Sequence, residues 1–590
     1  MGTAKNINQK KFHFQILAAS VLLSLGIGTL GSLDGRDSCG ISTLFLFCPS
    51  VAEAQGGSLQ IKRVPLRISR VSRKLKRALG RTARRFPIDL RSVTGEGNNS
   101  EHPTMGMAGM PFKRMMKPAY RDGIGDPQGP ELPSARLVSN QCADQLSQRF
   151  NDKGVSDFVW QWGQFLDHDI TLTPTMAPAE ELKIEIPKGD RFFDPTGSGD
   201  KWMRMERSFY TMVDGVRQQV NEITAFIDAS NVYGSDEARM NALREQDGSG
   251  RLKEGPNGML PFNTDGFPNA PTSKDPSLFL AGDFRANEQI GLTAMHVLFV
   301  REHNYWVRNL SQSYPTLSGD QLFQIARSIV AGEMQQITFG EFLPVLLGEG
   351  AIANYDGYRS DVDASIMNEF ATAAYRFGHS MLSPFILRLD ASLLPIPEGP
   401  LSLRDGFFQP QRLLTEGGID PVLRGLAVQK AQEIDIKVID DVRNFLFGPP
   451  GAGGFDLAAL NIQRSRDHGL PSYSEMRSML GLPPLLSFAD VTTNREVQQC
   501  LASIYPSVRD IDLWVGGLAE DHVEGAMVGE TFFEILRDQF ERLRDGDRFW
   551  YEHYLPKRLA RLIRHQTLAK IIKRNSGVRN EIQENVFYAH

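Results

Sequence analysis

From Asp144 onward, apolar residues recur at spacings of three and four, the period of an amphipathic helix. The runs VSDFVWQWGQFLDHDI, LTAMHVLFVREHNYWVRNL, DQLFQIARSIVAGEMQQITFGEFLPVLL, ASIMNEFATAAYRFGHSM, FERLRDGDRFWYEHYL and PKRLARLIRHQTLAKIIKR all carry it. Alternation with period two is short and sparse. From Gly95 to about Arg136 the chain is rich in Gly, Pro and Met, which predicts irregular coil wrapped on a body. The stretch GPPGAGGF (448–455) lacks the spacing and the strand–helix setting of a phosphate loop and predicts a surface loop. The pattern predicts a mainly α fold: one large helical domain, residues 93–590, with little β structure.

The N-terminus is different. Lys10 and Lys11 precede an uncharged run, Phe12 to Leu33, broken only by His13. A second apolar run, Ile41 to Val51, ends in Ala52-Glu53-Ala54. A basic start, an apolar centre and an A-x-A end predict an export signal over residues 1–54, with an uncleaved membrane anchor as the alternative. The expected destination is secreted, periplasmic or extracellular. Cleavage there removes Cys39 and Cys48 and leaves Cys142 and Cys500, which an oxidising compartment allows to pair. Residues 55–92 form a basic arm in which Leu66, Val71, Leu75 and Leu79 stand near helical spacing. The arm reads either as a solubilising or removable segment, or as a contact for an anionic surface or polysaccharide.

Composition narrows the chemistry. Hydrophobic residues at 41% indicate a packed globular body. Four cysteines, with no C-x-x-C pair, exclude a disulfide-rich scaffold and thiolate metal clusters. A cofactor must therefore hang on carboxylates and on 11 histidines. Residues 62–91 hold 12 Lys or Arg against one acid, Asp89, whereas residues 92–590 carry a net charge of −17. An acidic body gives no reason to expect specific nucleic-acid binding.

The densest polar cluster lies inside an apolar helix. Gln164, Asp167 and His168 stand at i, i+3 and i+4 on one face, and Asp169 points about 100° further round. Buried carboxylates flanking a histidine are costly unless bonded or paired. AGDFRANEQ places Arg285 and Glu288 at i, i+3, predicted on one helical face. YRFGHS repeats that spacing with Arg376 and His379, and LNIQRSRDHG supplies Asn461, Arg464, Asp467 and His468. TAFIDAS, Thr224 to Ser230, offers alternating oxygen donors suited to a hard cation. Each cluster alone also reads as a structural ion-pair or capping group, and His296, His303 and His468 read as core histidines.

Taken in order, Gln-x-x-Asp-His-Asp, T-x-F-x-D-x-S, Arg-x-x-Glu, Arg-x-x-His and L-N-x-Q-R-S-R-D-H-G resemble the animal-type haem peroxidase superfamily, from about Val93 to Phe587. The resemblance implies haem b as cofactor, with His379 as proximal iron ligand and His168 as distal acid–base group. It implies that Arg285 stabilises charge as the peroxide bond breaks and that Gln164 holds a distal water or halide. Asn461 is implied to partner the proximal imidazole, and Arg376 and Arg464 to pair with haem propionates. Asp167 and Glu288 are implied to form ester bonds to haem methyl groups. Asp169, Thr224, Phe226 (through its carbonyl), Asp228 and Ser230 are implied to bind Ca²⁺. The implied reaction uses H₂O₂ to form a ferryl intermediate that oxidises small anionic or organic donors. Gln289 stands where myeloperoxidase has a methionine bonded to a haem vinyl group, so iodide, bromide and thiocyanate are expected as donors and chloride is doubtful. The few cysteines and the A-x-A end suggest a bacterial relative. The rivals are a fatty-acid dioxygenase or cyclooxygenase-type enzyme on the same fold, which places a radical tyrosine close before the proximal histidine, at the third position in cyclooxygenases where this chain has Arg376 with Tyr375 one further back, and a non-enzymatic haem or adhesion protein.

Overall fold

The computed structural model describes residues 70–80 and 89–589. The expectations for residues 1–54 and for Leu66 lie outside the described residues.

The core is built around helix α3, Phe158–Ile170, with α1 at Arg70–Leu79 and α2 at Ala135–Cys142 preceding it. Ten of the 13 residues of α3 are buried, because apolar side chains occupy most of its circumference. Its aromatic residues pack on the long helix Ile290–Ser313: Phe165 stacks on Phe299 with ring centres 5.0 Å apart, and Trp162 meets the same ring at 5.9 Å. The helix Gly319–Ile337 packs beside the long helix and starts at a capping box, in which Ser318 and Gln321 satisfy each other's backbone N–H groups. Helix α3 also packs directly on the short 3₁₀ segment Ala374–His379.

Strands among the described residues are few, short and antiparallel. Val216–Asn221 pairs with Met110–Pro111 and Tyr210–Val213, Glu181–Glu185 with Trp202–Glu206, and Phe385–Ile386 with Leu401–Ser402. The predicted coil after Gly95 does wrap the body. Gly106, at φ 72°, lies so close to the Phe226 ring that a Cβ there would stand 2.7 Å from it.

Three long-range ties fix the frame. Arg136 of α2 is fully buried between Asp190 and Asp456, with N–O distances of 2.7 and 2.6 Å. Asp456 also caps the helix Leu457–Asp467, so this cluster sets where Asn461 stands. Cys142, ending α2, is disulfide-bonded to Cys500 of the helix Arg495–Ile504 with Cα atoms 5.6 Å apart. Part of the basic arm is also packed into the body: α1 buries Leu75 and Leu79 against the long helix, and Ser72 donates to Gln312. The sequence holds two Asn-x-Ser glycosylation sequons, Asn98-Asn99-Ser100 and Asn309-Leu310-Ser311, and both acceptor asparagines are buried in the folded body, where Asn98 donates to Asp547 at 2.7 Å.

Candidate active site

Helix α3 presents Gln164, Asp167 and His168 on one face, as the spacing predicts. Thr171, just past the helix end, donates to Asp167 Oδ1 at 2.7 Å. The segment Ala281–Gln289 is a series of turns and not a helix, which corrects the reading of a helical face for Arg285 and Glu288. A turn closed by Glu288 N donating to Arg285 O at 2.9 Å holds the two together. The helix begins only at Ile290, where Gln289 caps it by accepting from Gly291 N at 2.6 Å.

These elements converge on a charged cleft. Arg285 Nε and Nη2 donate to the two oxygens of Asp283 at 2.9 and 2.8 Å, and Nη2 also donates to Thr171 O at 2.9 Å. Arg285 Nη1 reaches Asp167 Oδ2 at 3.5 Å. His168 Nδ1 stands 3.5 Å from Asp283 Oδ1 without forming a hydrogen bond, and Nε2 stands 4.0 Å from Glu288 Oε2. Gln164 donates to Glu288 Oε2 at 3.0 Å, and Gln289 donates to both Gln161 and Gln164 at 2.8 and 2.9 Å.

Burial decides the charge states. Desolvation, reinforced by Arg285, drives His168 well below the usual imidazole range, so the ring is neutral. Desolvation raises Asp167 and lifts Glu288 to about 7, with Arg285 opposing both shifts. Asp283 goes the other way. Burial works against its charge, but the Arg285 guanidinium, through its charge and its hydrogen bonds, holds the Asp283 carboxyl well below the ordinary carboxylate range. Asp283 is the functional residue that sequence reasoning missed; its position two residues before Arg285 was the available signal.

The other histidine lies across from this cluster. A 3₁₀ turn has three residues per turn, so Arg376 and His379 eclipse one another on Ala374–His379. Asn461 reaches His379 Nδ1 at 2.7 Å from the neighbouring helix, and Arg376 Nη1 donates to Asn461 Oδ1 at 3.0 Å. The amide nitrogen therefore faces the imidazole. Turning the amide over would present its oxygen to Nδ1–H at the same position. Desolvation and Arg376 lower His379 to about 3. Arg464, one turn after Asn461, donates to Asp467 and Ser208 at 2.9 Å each. Asp167 and Arg376 interact electrostatically, and helix α3 packs directly on Ala374–His379, so the two histidine clusters are neighbours.

The residues fit a haem. His379 Nε2 makes no hydrogen bond to the described residues, and with the Asn461 amide turned so that its Oδ1 accepts from Nδ1–H, Nε2 of the neutral ring keeps its lone pair for a metal. Asp167 and Glu288 keep 31% and 21% of their side-chain surface although the protein encloses them, so they line a cavity and not a solid core.

The expected cation turn lies directly behind His168. Asp169 accepts from the N–H groups of Asp228 and Ala229 at 3.1 Å each and from Ser230 Oγ at 2.9 Å. Thr224 Oγ1 and Ser230 N donate to Asp228 Oδ1 at 3.1 and 3.0 Å. Phe226 lies buried in the same turn. Burial and the neighbouring Asp228 raise Asp169 to about 8, while Asp228 Oδ2 is buried without a hydrogen-bond partner, 3.9 Å from Arg91 Nη1. Two buried carboxylates that repel each other, one only loosely paired with an arginine, suit a bound cation. No group of three or more His, Cys, Asp or Glu among the described residues could hold a metal, so such an ion would lean on hydroxyl and carbonyl oxygens. His303 and His468 have core roles: His303 bonds Tyr233 and Gly250 O at 2.9 and 3.0 Å, and His468 bonds Asn368 and Ser208 at 2.7 Å each. His296 packs edge-on against Phe165.

Comparison with known proteins agrees with this geometry. The animal haem peroxidase family profile matches residues 90–587. Peroxinectin A of Dictyostelium discoideum is 38% identical over 517 residues, covering 85% of this chain and 96% of that protein. Peroxidasin of Drosophila melanogaster is 36% identical over 560 residues, and there the match spans 85% of this chain but only 36% of the relative's length. The solved structure of peroxidase A from Dictyostelium discoideum superposes with a TM-score of 0.79 at 36% identity, covering 85% of this chain and 99% of that one. The Oryza sativa fatty acid alpha-dioxygenase shares the fold, with a TM-score of 0.72 at 22% identity over 85% of this chain and 87% of that one. The chain thus belongs to the animal haem peroxidase family and is an H₂O₂-dependent haem enzyme.

Proposed function

We propose that the protein is an exported peroxidase that oxidises iodide, bromide, thiocyanate and small organic donors, and chloride poorly or not at all. One observation carries the reading. A neutral, buried His168 stands beside an Arg285 that Asp283 has already fixed in place, and the segment carrying His379 packs against the helix that carries His168. His379 Nε2 would hold the haem iron, Arg376 and Arg464 its propionates, and Asp167 and Glu288 would be esterified to its methyl groups. When bound, the haem supplies the iron that takes oxidising equivalents from peroxide.

The chain's own residues do the rest. His168 Nε2 accepts a proton from one peroxide oxygen and returns it to the departing one, which a neutral ring can do and an imidazolium cannot. Arg285 brings a fixed positive charge to the breaking O–O bond without reorganising. The Gln164 amide, held by Gln289 and bonded to Glu288, orients water or a small anion. Gln289 has no sulfur with which to make a vinyl link, which supports the preference for easily oxidised halides. Asp169, Thr224, Phe226, Asp228 and Ser230 would bind Ca²⁺ and brace the helix turn carrying His168. Export is supported by the N-terminal pattern and by the Cys142–Cys500 disulfide. Turnover measured with each halide and thiocyanate at several pH values tests the donor assignment; chloride turnover matching that of bromide would refute it. Chelation that leaves spectrum and activity unchanged would refute the calcium assignment.

A further inference from the structure

The protein has a second concave site, remote in character from the acidic cleft. A groove of about 780 Å³ opens where α1 meets the helices Lys557–Ile563 and Leu568–Asn575 and the long helix. Lys74, Arg77, Arg558, Arg561 and Lys570 rim it, all exposed, and no Asp or Glu lines it. None of these five forms an ion pair with a carboxylate among the described residues; Arg558 instead donates to the Arg77 carbonyl at 3.3 Å. The floor is hydrocarbon and ring surface from Val71, Ala78, Tyr305, Trp306 and Leu562.

Five unpaired cations converging on one groove of a body whose net charge is −17 repel each other and raise the local potential. The sequence on either side of α1 adds no compensating charge, since residues 62–69 and 81–88 hold six more Lys or Arg and no acid. The groove is held in shape: Leu75 and Leu79 anchor α1, and Ser313 Oγ donates to Ser72 O at 2.9 Å. An acidic polysaccharide or a nucleic acid would match the rim but leave most of its sugar hydroxyls facing a floor that is mainly apolar, with Gln566, His565 and Arg574 as its further polar groups. A lipid matches both parts, with phosphate at the guanidinium and ammonium groups and glycerol and acyl carbon on the rings and methyls.

We propose that this groove docks the protein on a membrane surface carrying anionic phospholipid, binding peripherally. No helix among the described residues is long and apolar enough to cross a membrane. Juxtamembrane cations add roughly tenfold to partitioning for every one to two charges.

The test is sedimentation of the purified holoprotein with vesicles of phosphatidylcholine alone and of phosphatidylcholine mixed with phosphatidylglycerol. Binding only to the anionic vesicles, weakening as salt rises, is expected. Arg558→Glu with Arg561→Glu should lower that binding tenfold or more while peroxide turnover and circular dichroism stay unchanged. The same charge change at the exposed Lys188 and Lys274, outside the groove, should have at most a small effect. Equal binding to both vesicle types, equal loss with the Lys188 and Lys274 pair, or retention by dextran sulfate with no vesicle binding would each overturn the proposal.

Discussion

His168 is buried and His379 half-buried, and both are neutral, yet their surroundings differ in kind. Ionisable side chains surround His168: Asp283 and Glu288 stand within 4.0 Å of its ring, and Arg285 pairs with Asp283 and Asp167 beside it. His379 contacts a single amide, Asn461, which is itself held by Arg376. Charge can steady a ring that must take and release a proton, because each protonation state finds a complement nearby. An amide fixes a ring's orientation without claiming its proton, which leaves Nε2 to a metal. The fold produces this difference by placing one histidine on a rigid α-helix facing a charged turn and the other on a 3₁₀ turn facing a capped helix.

The sharpest way to break the comparison is to exchange alanine for each ring. His379→Ala should lose haem, read as loss of the Soret band. His168→Ala should keep haem and lose roughly 10²–10⁴-fold in peroxide turnover, the usual worth of general acid–base catalysis. Asp283→Asn should release Arg285, lowering turnover by about 10²-fold while haem stays bound. The same substitution should cost about 3 kcal/mol in thermal unfolding, because it strands a buried guanidinium. Asn461→Asp replaces the neutral partner with an anion and should lower the haem reduction potential in spectroelectrochemistry, with little change in haem content. Asp167→Val with Glu288→Gln should make the haem extractable by acidified solvent, where the native protein retains it.

The smallest effect concerns acid stability. His303 has a pKa lowered to about 4 by burial, against about 6.5 when unfolded. Between those values the unfolded chain binds the extra proton, so stability falls as pH drops from about 6.5 to 4, by up to about 3 kcal/mol from this residue. His303→Gln should flatten that limb in acid-denaturation curves.

The face of α3 was legible because helical periodicity is local and strict: Gln164, Asp167 and His168 stand where spacing put them. The mainly helical body and the sparse strands were legible for the same reason. The turn at Ala281–Gln289 was not, because i, i+3 spacing fits both a helix and a run of turns, and only the cap at Gln289 distinguishes them. Asp283 escaped notice because an acid two residues before an arginine is commonplace, and only the fold shows that this pair is buried beside His168. The basic arm's spacing at Val71, Leu75 and Leu79 gave α1, but the groove it completes needs residues beyond Lys557, and no local pattern joins those segments.

The central claim is that His168 and His379 address one haem from opposite sides. Ferric optical and EPR spectra of native protein, His168→Ala and His379→Ala, each before and after one equivalent of peroxide, test it most directly. The account predicts haem signals in the native protein and in His168→Ala, a fast peroxide-induced change in the native protein alone, and no stoichiometric haem in His379→Ala. Full haem content in His379→Ala, or an unchanged peroxide response in His168→Ala, would contradict it.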